Sequence, residues 1–306
     1  MRALALFLAA ASLSSASTFY VTIGGLGGEP EFQQRFDGWA KEVDRLVRAQ
    51  GDAQVYTIFG AEATKSKVQS TLHSVASAAK QDDALVLMLI GHGTFDGFDY
   101  KLNLPGPDIT AGELSELLDR IPASRQLVVN MTSCSGGSLK AFQRAGRVVV
   151  TATKTATERN ATIFARYWVE ALRDPAADTD KNETISALEA YKYAERKTAE
   201  FYESQKRLAT EHALLEDTGK GEGVREPSPQ NGHGLAASQF ALVRTSAGQN
   251  LSKDPGKLSL LKQRESLEAK IDQLKYEKAS LPADEYRKQL RDLVTQLAKV
   301  QAELDK

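Results

Sequence analysis

Two apolar stretches, each followed at once by small residues around one reactive side chain, constrain this chain more than any other feature. Residues 85–90 read LVLMLI and lead to His92, and residues 126–131 read QLVVNM and lead to Cys134. Both stretches are too short to span a membrane and have the aliphatic content of strands buried on both faces. In open α/β sheets, ligands bind at the carboxyl ends of the strands. The pattern therefore predicts a sheet edge where His92 and Cys134 lie side by side.

A thiol beside an imidazole suits nucleophilic attack on an acyl carbon. The thiolate is the reactive form of cysteine, and a nearby imidazolium favours it. The same imidazole can later give its proton to a leaving amine. We expect Cys134 to be the nucleophile and His92 the general acid and base. The backbone N–H groups of Gly93 and Cys134 are then the expected oxyanion donors.

The two motifs carry a resemblance to a known family. An apolar strand followed by His92-Gly93, and a later strand followed by Ser-Cys134-Ser-Gly-Gly, resembles the caspase/legumain clan (clan CD) of cysteine peptidases, and within it the bacterial legumain-like proteins. The resemblance implies an α/β fold with a caspase-like, mostly parallel sheet and helices on both faces, here over residues 18–245. It also implies a Cys–His dyad that needs no third acid and no cofactor, and cleavage after one preferred residue.

Plainer interpretations of these motifs stay open. A lone cysteine after an apolar run is usually a small buried hydrophobe, and His-Gly after a strand is often a turn. Cys134 is, however, the only cysteine in the chain, so it has no intrachain disulfide partner. Two functional alternatives also stay open. One is a binding or scaffold protein on the same fold, and the other is a transpeptidase that passes the thioester to an amine, as some legumain relatives do.

Residues 1–17 have the organisation of a secretory signal peptide. Arg2 is the positive charge, residues 3–13 are apolar, and Ser-Ser-Ala16 is a small-residue cleavage site. We therefore expect an exported protein, periplasmic or secreted, that has no membrane contact in its mature form. An uncleaved, buried first helix is the alternative. A single free thiol is unusual in an oxidising compartment, which favours a chemical role for Cys134.

Composition narrows the class of partner. The 306 residues carry a formal net charge of −1, with 42% hydrophobic and 26% charged residues. These values are ordinary for a globular protein. A net charge this small does not attract nucleic acid or anionic lipid over long range. We expect a protein or peptide substrate and no nucleic-acid partner.

Three charged residues are candidates for substrate binding. Arg35 lies just beyond a glycine-rich loop at residues 24–28, which in the family borders the specificity pocket. Glu158 and Arg159 lie in a polar loop after the apolar stretch 147–152, and the family uses this loop to shape the same pocket. A charged pair there would select a charged or amide side chain through charge-assisted hydrogen bonds. A helix-capping loop is the alternative interpretation of residues 153–160.

The stretch 178–189 has the ligand spacing of an EF-hand loop. The oxygen-bearing candidates for calcium are Asp178, Asp180, Asn182, Thr184 and Glu189. The sixth position, which favours glycine for a sharp turn, holds Glu183, and a left-handed conformation there costs about 1–2 kcal/mol. A helix start capped by Asp or Asn is the alternative.

The C-terminal part divides into three segments. Residues 209–234 are rich in glycine, proline and charge and predict a mobile loop that is a candidate for autoprocessing. Residues 246–256 are expected to be a linker. Residues 257–306 carry apolar residues at heptad spacing and predict a helical hairpin or coiled coil. This unit is the expected site of self-association or of a protein partner, and it carries no catalytic residue.

Overall fold

The structure, a computed structural model, describes residues 16–51 and 53–306. Apart from residues 16 and 17, the expected signal peptide therefore lies outside the described residues. Eleven strands occur in the described part of the chain. In chain order they are β1 (Thr18–Gly24), β2 (Ala53–Ile58), β3 (Ala84–Ile90), β4 (Gly93–Phe95), β5 (Tyr100–Leu102), β6 (Ile109–Thr110), β7 (Arg125–Asn130), β8 (Arg147–Thr151), β9 (Thr184–Ser186), β10 (Leu214–Glu216) and β11 (Ala241–Arg244).

The helices alternate with these strands. In chain order they are α1 (Pro30–Arg48), α2 (Lys65–Ala78), α3 (Ala111–Asp119), α4 (Leu139–Phe142), α5 (Phe164–Ala171), α6 (Ala187–Ser204), α7 (Leu235–Ser238), α8 (Ser246–Ser252), α9 (Pro255–Glu277) and α10 (Ala283–Leu304). Short 3₁₀ turns occupy Gly60–Glu62, Ser135–Ser138 and Lys278–Ser280.

The central sheet has six strands in the order β10-β8-β7-β3-β1-β2. Its neighbours pair in parallel, except that β10 runs antiparallel to β8. Parallel strands need crossover connections, and the intervening helices supply them. The expected α/β class, with a mostly parallel sheet between helices, is confirmed.

The apolar runs are continuous because both faces of the sheet are covered. In β3, alternate side chains point to opposite faces. Val86, Met88 and Ile90 join a core with α1, α5 and α6. The intervening leucines of β3 join a second core with α2, α3 and α4. All seven residues of β3 are buried, as a strand between two helical layers requires.

Two segments differ from the sequence expectations. Residues 209–234, expected to be a mobile loop, contain β10. The Tyr191 hydroxyl of α6 lies 2.8 to 3.3 Å from the backbone carbonyl oxygens of Ala213, Val224 and Arg225 in this stretch. The expected linker at 246–256 contains α8. Its N-cap, Thr245, accepts the N–H of Gly248.

The C-terminal stretch 257–306 forms the antiparallel pair α9 and α10. The Lys257 ammonium near the start of α9 donates to the Leu304 carbonyl at the end of α10 at 2.7 Å. The apolar side chains that pack the two helices together include Leu261, Leu267, Val300 and Leu304. Among the described residues, no helix has both the length and the apolar character needed to cross a bilayer.

Candidate active site

The central sheet brings the two expected catalytic residues to one edge. The adjacent strands β3 and β7 run parallel, with Leu89 opposite Asn130. The ladder continues past β7, where the N–H of Met131 donates to the Leu89 carbonyl at 2.9 Å. His92 follows the end of β3 and Cys134 follows the end of β7. Both residues therefore lie at the carboxyl edge, where this fold class binds ligands.

A two-way contact between Gly93 and Ser133 fastens the two strand ends together. The Gly93 N–H donates to Ser133 Oγ at 3.1 Å, and Ser133 Oγ donates to the Gly93 carbonyl at 3.0 Å. A Cβ atom added to Gly93 would lie 2.5 Å from the Ser133 carbonyl oxygen. Any residue with a side chain would therefore force the strand ends apart, which explains the glycine beside His92.

Cys134 occupies a strained backbone position. Its φ angle is 57°, in the left-handed region, where a non-glycine residue costs about 1–2 kcal/mol. Such strain concentrates at functional sites, because the surrounding structure has to hold it in place. The residue starts the 3₁₀ turn Ser135–Ser138, and only 2% of its surface is exposed. The thiol is free but covered.

Two aromatic rings of α1 hold the imidazole of His92. The ring centroids of Phe32 and Phe36 lie 4.8 and 5.0 Å from that of His92, and both rings meet it edge to face. Burial lowers the pKa of His92, although the backbone of Gly27 and the carboxylate of Glu29 act in the opposite direction. The aromatic contacts orient the imidazole, and its burial favours the neutral form over the charged one.

Burial disfavours the charged form of the thiol as well. It raises the pKa of Cys134, and the positive charge of Arg159 opposes this effect. Within the part of the chain that the structure describes, no hydrogen bond joins the Cys134 sulfur to His92. Both pKa shifts run against the thiolate–imidazolium form that an active Cys–His dyad uses.

Both expected oxyanion donors are already hydrogen-bonded within the protein. The Gly93 N–H donates to Ser133 Oγ, as described above. The Cys134 N–H donates to the backbone carbonyl of Glu158 at 2.8 Å. Buried N–H groups need such partners. In this arrangement both N–H groups have acceptors within the protein, so their role as oxyanion donors stays a prediction.

The two arginines expected to bind substrate lie in different parts of the fold. Arg35 lies on α1, where it pairs with Glu31 and its guanidinium is 5.1 Å from the ring centre of Phe32. Arg159 is exposed, and its charge acts on the Cys134 thiol. Of the two, Arg159 is the one whose charge acts at the nucleophile.

Glu158, the third substrate-binding candidate, is hydrogen-bonded within the protein. Its carboxylate accepts hydrogen bonds from the His212 imidazole at 2.6 Å and from the Lys154 N–H at 2.7 Å. No local pattern in the sequence could have identified the His212 contact, because 54 residues separate the partners.

The calcium candidate loop brings three carboxylates together. Asp178, Asp180 and Glu189 each place one oxygen within 4.8 Å of the others. Glu183 adopts a φ of 64°, the left-handed turn that an EF-hand loop needs at its sixth position. Asp178 and Glu189 are both buried. The sequence spacing thus corresponds to a real cluster of acidic oxygens.

The other two calcium candidates have protein partners. The Asn182 side-chain nitrogen donates to Asp180 at 3.2 Å and to Glu268 of α9 at 3.2 Å. The Asn182 side-chain oxygen accepts the N–H of Thr184 at 2.9 Å. The N-cap of α6 is Ser186, two residues beyond the expected helix start at Thr184, and Glu189 completes its capping box. The loop thus combines an acidic cluster with a helix start.

Comparisons with known proteins found similar solved structures, each at low sequence identity. No protein-family model matches the chain, and no curated protein matches it. Among solved structures, the Drosophila initiator caspase Dronc has 12% identity and a TM-score of 0.43, covering 69% of this chain and 82% of its own. Protein GSU0716 from Geobacter sulfurreducens has 12% identity and a TM-score of 0.45, covering 72% and 97%. Caspase-1 from Spodoptera frugiperda has 12% identity and a TM-score of 0.45, covering 66% and 87%.

Proposed function

We propose that this protein is a cysteine endopeptidase whose nucleophile is Cys134 and whose general acid and base is His92. The observation that carries the proposal is their delivery by two adjacent parallel strands to one sheet edge. The Gly93–Ser133 contact that ties the strand ends together supports it. So does the strained backbone of Cys134, because such strain is typical of functional positions.

The proposed reaction follows from the two side chains. The Cys134 sulfur attacks the carbonyl carbon of the scissile peptide bond, and its proton passes to His92. His92 then protonates the leaving amine as the C–N bond breaks, which leaves a thioester. Water, deprotonated by His92, attacks the thioester and releases the acid and the free thiol. The Gly93 and Cys134 N–H groups stabilise each oxyanion once Ser133 Oγ and the Glu158 carbonyl release them.

The proposed substrate preference is for an acidic side chain next to the scissile bond. Arg159 supports it, because this exposed arginine lies in the 153–160 loop and its charge acts at the thiol. The neighbouring Glu158 carboxylate is hydrogen-bonded to the His212 imidazole and to the backbone N–H of Lys154. A guanidinium recognises a carboxylate through two parallel hydrogen bonds.

The proposed setting is outside the cytoplasm. The signal-like segment 1–17 and the single cysteine support export. Fractionation of cells that express the full chain, with N-terminal sequencing of the product, tests it. Mature protein that begins at Ser17 outside the cytoplasm is the expected result. Full-length protein in the cytoplasm would contradict it.

One observation favours a non-catalytic scaffold as the second candidate function. The thiol is covered and both oxyanion donors are bonded within the protein. A protein that never performs catalysis could keep this arrangement permanently. The discriminating feature is whether any condition yields cleavage that depends on Cys134.

The test compares the purified protein with its Cys134→Ala variant on a library of denatured peptides, and the new termini are sequenced. His73→Ala is the matched control, because His73 is an exposed histidine on α2, away from the sheet edge. We expect cuts after one residue type with the parent and with His73→Ala, and none with Cys134→Ala. Identical cutting by Cys134→Ala would refute the proposal. Joined rather than cut peptides would indicate transpeptidation.

A further inference from the structure

The 153–160 loop lies directly over the proposed nucleophile. Besides the bond from the Cys134 N–H to the Glu158 carbonyl, the Gly136 N–H donates to Thr153 Oγ1 at 2.8 Å. A Cβ atom added to Gly136 would lie 2.4 Å from the Lys154 carbonyl carbon. The loop and the cysteine turn are therefore in direct contact next to the buried Cys134.

A single acidic side chain anchors this loop to a distant part of the chain. The Glu158 carboxylate accepts hydrogen bonds from the His212 imidazole at 2.6 Å and from the His212 N–H at 3.2 Å. Side-chain exposure is 18% for Glu158 and 37% for His212. The contact is thus partly shielded from water but can be reached from the surface.

The backbone on both sides of His212 is fixed by hydrogen bonds to the rest of the fold. Glu211, next to His212, is buried and accepts the N–H groups of Ile163 and Phe164 at the start of α5, at 2.8 and 3.1 Å. The Tyr202 hydroxyl also donates to it at 2.9 Å. On the other side, β10 begins at Leu214 and pairs with β8 of the central sheet. His212 therefore cannot follow the loop if the loop moves.

We propose that Glu158 and His212 form a latch that holds the 153–160 loop closed over Cys134. While closed, the latch shields the thiol and keeps the Glu158 carbonyl on the N–H that an oxyanion would need. When the Glu158–His212 contact breaks, the bonds between the loop and the cysteine turn remain, and their opening then lets the site accept a peptide. The consequence for catalysis rests on the proposed function, but the opening itself does not.

The single cysteine makes the opening directly measurable. Iodoacetamide can alkylate only one thiol in this chain, so the alkylation rate of the native protein reports the exposure of Cys134. The test compares the parent with His212→Ala, which removes the imidazole, and Glu158→Gln, which keeps the shape but removes the charge. His73→Ala is the control, and the denatured parent gives the upper limit of the rate.

We expect His212→Ala to be alkylated at least about tenfold faster than the parent, because one charge-assisted hydrogen bond is lost and tenfold corresponds to about 1.4 kcal/mol. Glu158→Gln should give a smaller rise and His73→Ala no change. Thermal unfolding confirms that each variant is folded. Rates within twofold of the parent in both latch variants would overturn the latch.

Peptide cleavage by the same variants separates the two proposals. Faster alkylation with faster cleavage supports both. Faster alkylation without cleavage supports the latch and counts against the peptidase. Cleavage by the parent with unchanged alkylation in both latch variants supports the proposed peptidase function and refutes the proposed latch.

Discussion

Arg159 carries the proposed preference for an acidic substrate. Replacing it with alanine should lower kcat/KM for peptides cut after Asp by about 10- to 100-fold, the loss of a charged hydrogen bond of about 1.5–3 kcal/mol. Peptides that differ only by Asn at that position should lose little. Lys154→Ala is the control, because Lys154 is an exposed cation on the same loop. Equal losses on the Asp and Asn peptides would contradict a role in recognition.

Glu211 links stability to pH. Burial, and to a smaller extent the charge of Glu158, raise its pKa to about 7, against hydrogen bonds from Ile163, Phe164 and Tyr202. The folded state therefore binds this proton more tightly than the unfolded state does. Its stabilising contribution is complete below pH of about 4.3, the unfolded value, and is lost as the pH rises through about 7.

Glu211→Gln should flatten this dependence. Between pH 5 and pH 8 the parent should lose on the order of 2–3 kcal/mol of unfolding free energy through this group, and the variant should not. Urea unfolding at the two pH values measures the difference. Glu116→Gln, an exposed glutamate of α3, should behave as the parent does. An equal change in unfolding free energy between pH 5 and pH 8 in the parent and in Glu211→Gln would contradict the raised pKa of Glu211.

The sequence predicted that His92 and Cys134 share one sheet edge, but not their hydrogen bonding; their catalytic roles stay a prediction. His92 and Cys134 could be located because each follows an apolar run, and parallel strands bring their ends together. The direction of the Cys134 N–H could not be predicted, since its acceptor lies in a loop whose position depends on His212. Contacts between residues far apart in the chain leave no periodic signal.

At the level of elements, calcium binding by the 178–189 loop stays a prediction. Three carboxylates lie close together, two of them buried, and like charges at that distance repel unless a cation or protons intervene. We expect millimolar Ca²⁺ to raise the melting temperature by about 5 °C, since binding at 100 times Kd stabilises by about 2.7 kcal/mol. Asp178→Asn should abolish the rise, and Glu116→Gln should retain it. Equal melting curves with Ca²⁺ and with chelator would refute the site.

Elements with long apolar runs were predicted correctly, and short ones were not. β3 and β7 could be identified because burial on both faces makes their sequences uniformly aliphatic. β10 has three residues in a glycine-rich, charged stretch, and it exists because the edge of β8 and the hydroxyl of Tyr191 hold it. β11 lies outside the central sheet and pairs with β9 in a separate two-stranded sheet.

At the level of the molecule, the C-terminal helix α9 is bonded to the α/β part of the chain. Glu265 pairs with Arg244 at 2.8 Å, the Tyr276 hydroxyl donates to the His233 carbonyl at 2.8 Å, and the buried Arg264 donates to the Asn182 carbonyl. Calorimetry of the full chain should therefore show one cooperative transition.

Arg264→Ala should weaken this docking. Removing one partner of a buried charged contact costs about 1.5–3 kcal/mol, so we expect a lower melting temperature or a separate first transition from the two helices. Arg287→Ala is the matched control, because Arg287 is exposed on α10 and pairs only with Asp284 of the same helix. Two transitions in the parent itself would show that the helices are independent.

The strand order has a consequence for how the molecule is made. After β1, each strand of the central sheet pairs with a strand that has already been synthesised. The sheet can therefore grow as the chain leaves the ribosome. Glu158 emerges 54 residues before His212. At about 5–20 residues per second this interval lasts roughly 3–10 s. Every nascent copy therefore passes through a stage in which the strands that carry His92 and Cys134 are complete but the residue that closes the loop does not yet exist.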